Sequence, residues 1–168
     1  MVAPLAYQPP VDHLIRRWKY HGQLHLGPTL AALWLAGCAR SAETGLRPDL
    51  RVNWLVPVPL HRSRLRERGF NQSLELARCL SRQLGLPLAT HWLHRRRASV
   101  PQSLLSAADR RRSQRGTFVA DPALGQLAGA RVALLDDVVT TGSTANACAE
   151  ALLRAGAERV EVWAVSRA

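Results

Sequence analysis

Residues 132–144 read VALLDDVVTTGST: a short apolar run, two adjacent carboxylates, two valines, and a turn built almost wholly of hydroxyls and glycine. Thr140, Thr141, Ser143 and Thr144 can each donate a hydroxyl hydrogen bond to one phosphate. Gly142 permits a positive φ and leaves room for close backbone approach. If a helix follows, its amino end adds free N–H groups and the positive end of its dipole. Asp136 and Asp137 would repel a phosphate beside them unless they face something else. Sugar hydroxyls, a divalent metal or a developing positive charge would serve, and a phosphorylated ribose can present all three.

The elements that must place these groups follow from the flanking pattern. Val132 to Leu135 reads as a strand, and ligands of open α/β sheets sit beyond the carboxyl ends of strands. Neighbouring strand residues point to opposite sides. Both carboxylates can therefore share one ligand only if the strand ends at about Asp136. Residues 145–155 carry helical periodicity up to Gly156, and VEVWAV (160–165) alternates like a closing strand.

Upstream, VNWLVPVPL (52–60) reads as a buried strand, ended by Pro57 and Pro59 because neither can donate to a ladder. It opens into HRSRLRERGFNQS, where Arg62, Arg64, Arg66 and Arg68 recur every second residue and would share one side of an extended loop. Asn71 caps an expected helix over 72–84, with Leu74, Ala77, Leu80 and Leu84 on one face and Gly85 and Pro87 beyond its end. LATHWL (88–93) reads as a short strand. A first helix spans 12–21, capped by Asp12 and ended by Gly22, with Leu14, Ile15 and Trp18 inward. Its Lys19 and Tyr20 suit either a solvated face or a ligand. His21 and His25 are separated by Gly22, which argues against a metal pair. A second helix is expected over Pro28–Ala36 with Pro28 in its first position, then a polar loop over 40–50. RRRASVPQSLLSAADRRRSQRGTF (95–118) reads mainly as a long mobile loop, with a helical turn or two over Ser106–Arg112.

At 168 residues and 47% hydrophobic content, the chain suits one α/β domain over 1–168 with a sizeable core. No apolar run approaches the ~18 residues of a membrane span, and the first residues lack the pattern of a signal peptide. Cys38, Cys79 and Cys148 are scattered, without C-x-x-C spacing, so neither a disulfide framework nor a zinc ribbon is expected, and a cytoplasmic setting is. The only lysine is Lys19, which excludes a Walker-type nucleotide loop. The net charge is +11, and it is concentrated. Arg62 to Arg115 holds thirteen arginines against Glu67, Glu75 and Asp109, a local net of +10. The remainder holds nine arginines and one lysine against nine acids, a net of +1. Such localisation points to an anionic partner for this third of the chain.

LLDDVVTTGST resembles the phosphoribosyl-pyrophosphate (PRPP) signature of type I phosphoribosyltransferases. Together with KYHG (19–22), PVPLHRSRLRERGFNQS and RRRASVPQ, it resembles the ComF/GntX family of phosphoribosyltransferase-like proteins, over about Asp12 to Arg167. The resemblance implies a Rossmann-like parallel sheet flanked by helices, with a mobile hood. It implies that Thr140, Thr141, Gly142, Ser143 and Thr144 hold the 5′-phosphate. Asp136 and Asp137 hold the ribose hydroxyls and Mg²⁺, partly through water, and are the candidate catalytic acids. His61, Arg62 and Arg68 are assigned to pyrophosphate, and 95–115 becomes the lid. Many family members begin with a four-cysteine zinc ribbon that this chain lacks, so no zinc is expected in it. Where purine enzymes carry an aspartate in the phosphate loop, this chain has Thr140, so no general base or acceptor is assigned.

Two functions follow from the resemblance and the charge. One is PRPP or ribose-phosphate binding with Mg²⁺, with or without transfer to an unassigned acceptor, in bacterial DNA uptake or utilisation. The other is a single-stranded-DNA-binding protein on the same fold, partnered with the uptake machinery. Its candidate contacts are Arg64, Arg66, Arg95, Arg96, Arg97, Arg110, Arg111, Arg112 and Arg115.

Overall fold

The computed structural model describes residues 1–41, 45, 48–95, 117–121 and 125–168. In chain order the elements are β1 (Leu5–Ala6), α1 (Val11–His21), α2 (Leu26–Arg40), β2 (Trp54–Pro57), α3 (Arg62–Arg68) and α4 (Gln72–Leu84). Then come β3 (Leu93–Arg95), β4 (Phe118–Ala120), β5 (Arg131–Val139), α5 (Ser143–Arg154) and β6 (Arg159–Arg167). Among the described residues, four strands make one parallel sheet in the order β1–β6–β5–β2, and β3 and β4 pair as an antiparallel ribbon. β5 is central: Trp54 to Pro57 pair with Val132 to Leu135 on one side, and Arg159 to Arg167 run beside it on the other.

Strand alternation divides the core in two. Ala133, Leu135, Trp163 and Val165 pack with Ile15 and Trp18 of α1, Leu30 and Trp34 of α2, and Leu76 and Leu80 of α4. Val132, Leu134 and Val56 pack with Cys148 and Leu152 of α5, with Trp92, and with Leu93 and Phe118 of the ribbon. Full burial of one such side chain contributes about 1.5–3 kcal/mol. Trp34 closes against Trp163 at 5.2 Å between ring centroids, and its buried indole N–H donates to Ala164 O at 2.9 Å.

Several expectations are corrected. Asp12 does not cap α1: the cap residue is Pro10, and Asp12 lies within the first turn, where its charge suits the helix dipole. α2 begins at Leu26, so Pro28 is its third residue; its missing N–H still falls among the donors a first turn leaves unpaired. β2 is shorter than 52–60, and the segment 88–93 contributes a bridge at Leu88 before β3 begins. On α4, Leu76 and Cys79 join Ala77 and Leu80 in the buried set, while Leu74 and Leu84 are half-buried.

The largest correction concerns the alternating arginines. Residues 62–68 are helix, not extended loop. The His61 side chain accepts the Ser63 N–H at the amino end, and Gly69 at φ +79° closes the other end with its N–H on Leu65 O. At 100° per residue, Arg62 and Arg66 share one side of α3 and Arg64 and Arg68 share another. Arg96, Arg97, Arg110, Arg111, Arg112 and Arg115, the expected turn over Ser106–Arg112 and the rest of the expected lid between the two ribbon strands lie outside the described residues. Among those described, no helix is long and apolar enough to cross a membrane.

Candidate functional site

The site forms where β2 stops and β5 continues. Their pairing ends at Pro57 opposite Leu135, with Val58 N–H closing on Leu135 O at 2.8 Å. β5 runs on to Val139 beside β6 alone. The strand therefore does not end at Asp136, and the two carboxylates take different partners. Asp136 Oδ1 accepts from Ser73 Oγ–H at 3.1 Å and from Asp137 N–H at 2.9 Å. Asp137 Oδ2 lies 2.9 Å from Lys19 Nζ, and its Oδ1 accepts from Val138 N–H at 2.7 Å. One acid is thus tied to the amino end of α4 and the other to the carboxyl end of α1.

Why Ser73 stands there is local chemistry. Asn71 caps α4 by accepting the Ser73 N–H at 3.0 Å, and its amide donates to Val58 O at 3.1 Å. That pair ties the first turn of α4 to the end of β2, beside Asp136. Burial, and then the like charge of Asp137, push the Asp136 carboxyl up to about 7, against the lowering effects of its two hydrogen bonds and of Lys19. Both of these hydrogen bonds fall on its Oδ1, and the residue lines a small cavity of about 60 Å³ with Val138 to Ala145.

The rest of that cavity is the hydroxyl turn. Gly142 sits at φ +76° as the residue before α5, a conformation that turns the chain from strand to helix and that L side chains resist. Gly142 has no side chain with which to cap α5; Thr141 Oγ1 accepts the Ser143 N–H at 3.4 Å, and the first-turn N–H groups have no intrahelical acceptor. Thr141 Oγ1 and Ser143 Oγ share a hydrogen bond at 2.7 Å, and Thr140, Thr141 and Thr144 are exposed. Hydroxyls, amide donors and a helix dipole therefore meet beside a carboxyl group that titrates near neutrality. The arrangement suits a phosphate joined to a hydroxyl-bearing carbon skeleton.

Of the three residues expected to hold pyrophosphate, two share a surface and one does not. His61 and Arg62 line a cavity of about 490 Å³ between α3 and β3 with Ser63, Arg66, His94 and Arg95. Arg68 instead lies over the Tyr20 ring, 5.1 Å from its centroid, with its Nε buried and without an acceptor among the described residues. Arg64 pairs with Glu67 at 2.8 Å. Ser73 and His94 carry no signal in sequence spacing; each becomes visible only when α4 and the ribbon are in place. Lys19 could be suspected as the only lysine, beside an exposed Tyr20.

Among the described residues, no cluster of three or more His, Cys, Asp or Glu side chains could hold a metal. The donor set fits Mg²⁺ of the kind that arrives with a diphosphate and keeps several waters. Asp136 can offer its Oδ2, and Asp137 is reached by displacing Lys19.

The phosphoribosyl transferase domain family matches residues 71–167, which include both carboxylates, the hydroxyl turn and Ser73. The chain belongs to this family. It is 36% identical over 162 residues to competence protein F of Haemophilus influenzae, covering 96% of this chain and 70% of that protein. It is equally 36% identical over 168 residues to DNA utilization protein YhgH of Escherichia coli K12, covering 99% and 71%. Both bear out the ComF resemblance. An adenine phosphoribosyltransferase crystal structure superposes with a TM-score of 0.54 at 16% identity, covering 89% of this chain and 74% of that one. The fold is that of the type I phosphoribosyltransferases.

Proposed function

We propose that the chain binds a 5-phosphorylated ribose, PRPP foremost, together with Mg²⁺, and that it serves the handling of external DNA. The observation that carries the first part is the juxtaposition of Thr140–Thr144 at the amino end of α5 with the carboxyl of Asp136. The turn matches a phosphate, and the carboxyl beside it matches ribose hydroxyls. When bound, Mg²⁺ would neutralise diphosphate charge. Asp137 and Lys19 would set the charge balance around it. The second part is supported by the names of the competence and DNA-utilization relatives. Calorimetry with PRPP and with ribose 5-phosphate, each with and without Mg²⁺, tests the reading. Binding of either compound, weakened roughly tenfold or more by Asp137→Ala, is expected from loss of a charged hydrogen-bonding group. Absence of heat for both compounds at millimolar concentration would sink it.

A second reading, single-stranded nucleic acid, has its own observation. Arg62, Arg66 and Arg95 meet around the α3–β3 cavity without an ion pair among the described residues. If Z phosphates are neutralised, log K falls with log salt at about −0.7Z. A slope near zero excludes this reading.

A further inference from the structure

Lys19 is the chain's single lysine, and it stands at the second carboxylate of the site. Every other permanently cationic side chain is an arginine. The difference is chemical: an ammonium is a compact point charge, whereas a guanidinium spreads its charge over a planar fork. Lys19 Nζ lies 2.9 Å from Asp137 Oδ2, and both side chains are largely buried, 17% and 10% exposed. Asp137 Oδ1 accepts from Val138 N–H at 2.7 Å, so both oxygens of this acid are engaged. On Asp136, by contrast, both hydrogen bonds fall on Oδ1.

The ammonium is placed to stay. It lies in the last turn of α1, where the negative end of the helix dipole favours a cation. Trp18 before it is fully buried, and Tyr20 after it carries the Arg68 guanidinium over its ring at 5.1 Å. The backbone at Lys19 is thus held between the core and α3. A divalent ion that took Asp137 would have to expel Lys19 from a largely buried pair and leave the ammonium uncompensated, which is the costly way to break such a pair. An ammonium has three N–H donors. One is used on Asp137, and Lys19 has no second acceptor among the described residues. We infer that Lys19 stands in for a metal ion at Asp137. The ammonium remains on this acid when a sugar phosphate bearing a diphosphate binds, offers its free N–H groups to that ligand, and leaves the site a single divalent ion with Asp136 as its carboxylate. The inference rests on the ribose-phosphate reading above and deepens it, fixing the number of metal ions and the residue that sets it.

The test counts ions by electron paramagnetic resonance on the full chain, with Mn²⁺ as the probe and PRPP as the ligand, against a blank of PRPP and Mn²⁺ without protein. The wild-type complex is expected to hold one Mn²⁺ per chain, and excess Mn²⁺ should not tighten PRPP binding. Lys19→Gln keeps a donor for Asp137 and removes the charge. It should take up a second Mn²⁺. With Mn²⁺ equimolar to PRPP it should bind PRPP roughly tenfold more weakly, in line with the loss of a charged hydrogen bond, and recover as Mn²⁺ is raised. Arg154→Gln removes the same charge from an exposed pair with Glu150 on α5 and should behave as wild type. Two ions in the wild-type complex, a single ion in Lys19→Gln, or the same second ion in Arg154→Gln would each overturn the inference and leave ribose-phosphate binding standing. If Lys19→Gln does not fold, the wild-type count decides alone. If the wild type binds no PRPP, both fall.

Discussion

Replacing Asp136 by asparagine should stabilise the ligand-free protein at alkaline pH. Asparagine keeps the outline and the oxygen that accepts from Ser73 and from the Asp137 N–H, and removes only the charge. In the folded chain, burial and Asp137 push this carboxyl up from 3.8 to about 7. The folded state therefore holds the proton more tightly than the unfolded state does. The group's contribution is fully favourable below about pH 4 and is lost as the pH rises through about 7. At ~1.36 kcal/mol per unit the whole loss is on the order of 4 kcal/mol, of which more than half falls between about pH 5 and pH 8. Urea denaturation of both proteins across that interval reads the difference directly, because groups common to both largely cancel. The stability of the variant relative to wild type should rise by about 2–3 kcal/mol from the acid to the alkaline end. A flat difference would refute the reasoning, and a falling one would mean that the carboxylate is stabilised by the fold. The same variant should bind ribose phosphates more weakly, the trade expected where a site is kept strained for function.

Lys19→Met leaves Asp137 without its counter-ion and should cost about 3 kcal/mol in urea denaturation at neutral pH, near the low end for a buried pair because Lys19 keeps some contact with solvent. Adding Asp137→Asn should restore most of it; no recovery would mean that Lys19 acts through packing alone. Asn71→Ala removes the cap of α4 and its anchor on Val58, a loss of about 1–2 kcal/mol by thermal or chemical denaturation, with Asn71→Ser recovering part. An unchanged stability in the alanine variant would show that Ser73 is held by other means.

The sheet and the hydroxyl turn are legible in the sequence because their determinants are local. Val132 to Leu135 must be buried, Gly142 frees the turn, and the hydroxyls around it lie at the amino end of the helix that follows. The cap of α4 at Asn71 is legible for the same reason. The arginines at 62–68 were misleading because alternation is a strand signal only where burial enforces it. On an exposed segment, a capping His61 and a terminating Gly69 decide for helix instead. The expected end of the strand at about Asp136 failed similarly, since β5 continues beside β6 after β2 has stopped, and strand length depends on the neighbours.

The sequence by itself determined a hydroxyl- and glycine-rich turn, two acids beside it, and a basic third of the chain. Only the tertiary structure decided which partner each acid takes. Lys19 lies more than a hundred residues before Asp137, and Ser73 more than sixty before Asp136. Tertiary structure also divided the arginines between a cavity, an aromatic ring and surface ion pairs. The reason is physical. A turn is specified by the φ, ψ and hydrogen-bonding habits of adjacent residues. The charge state of a carboxyl depends on what distant elements bring within a few ångströms of it, and on how much water they leave.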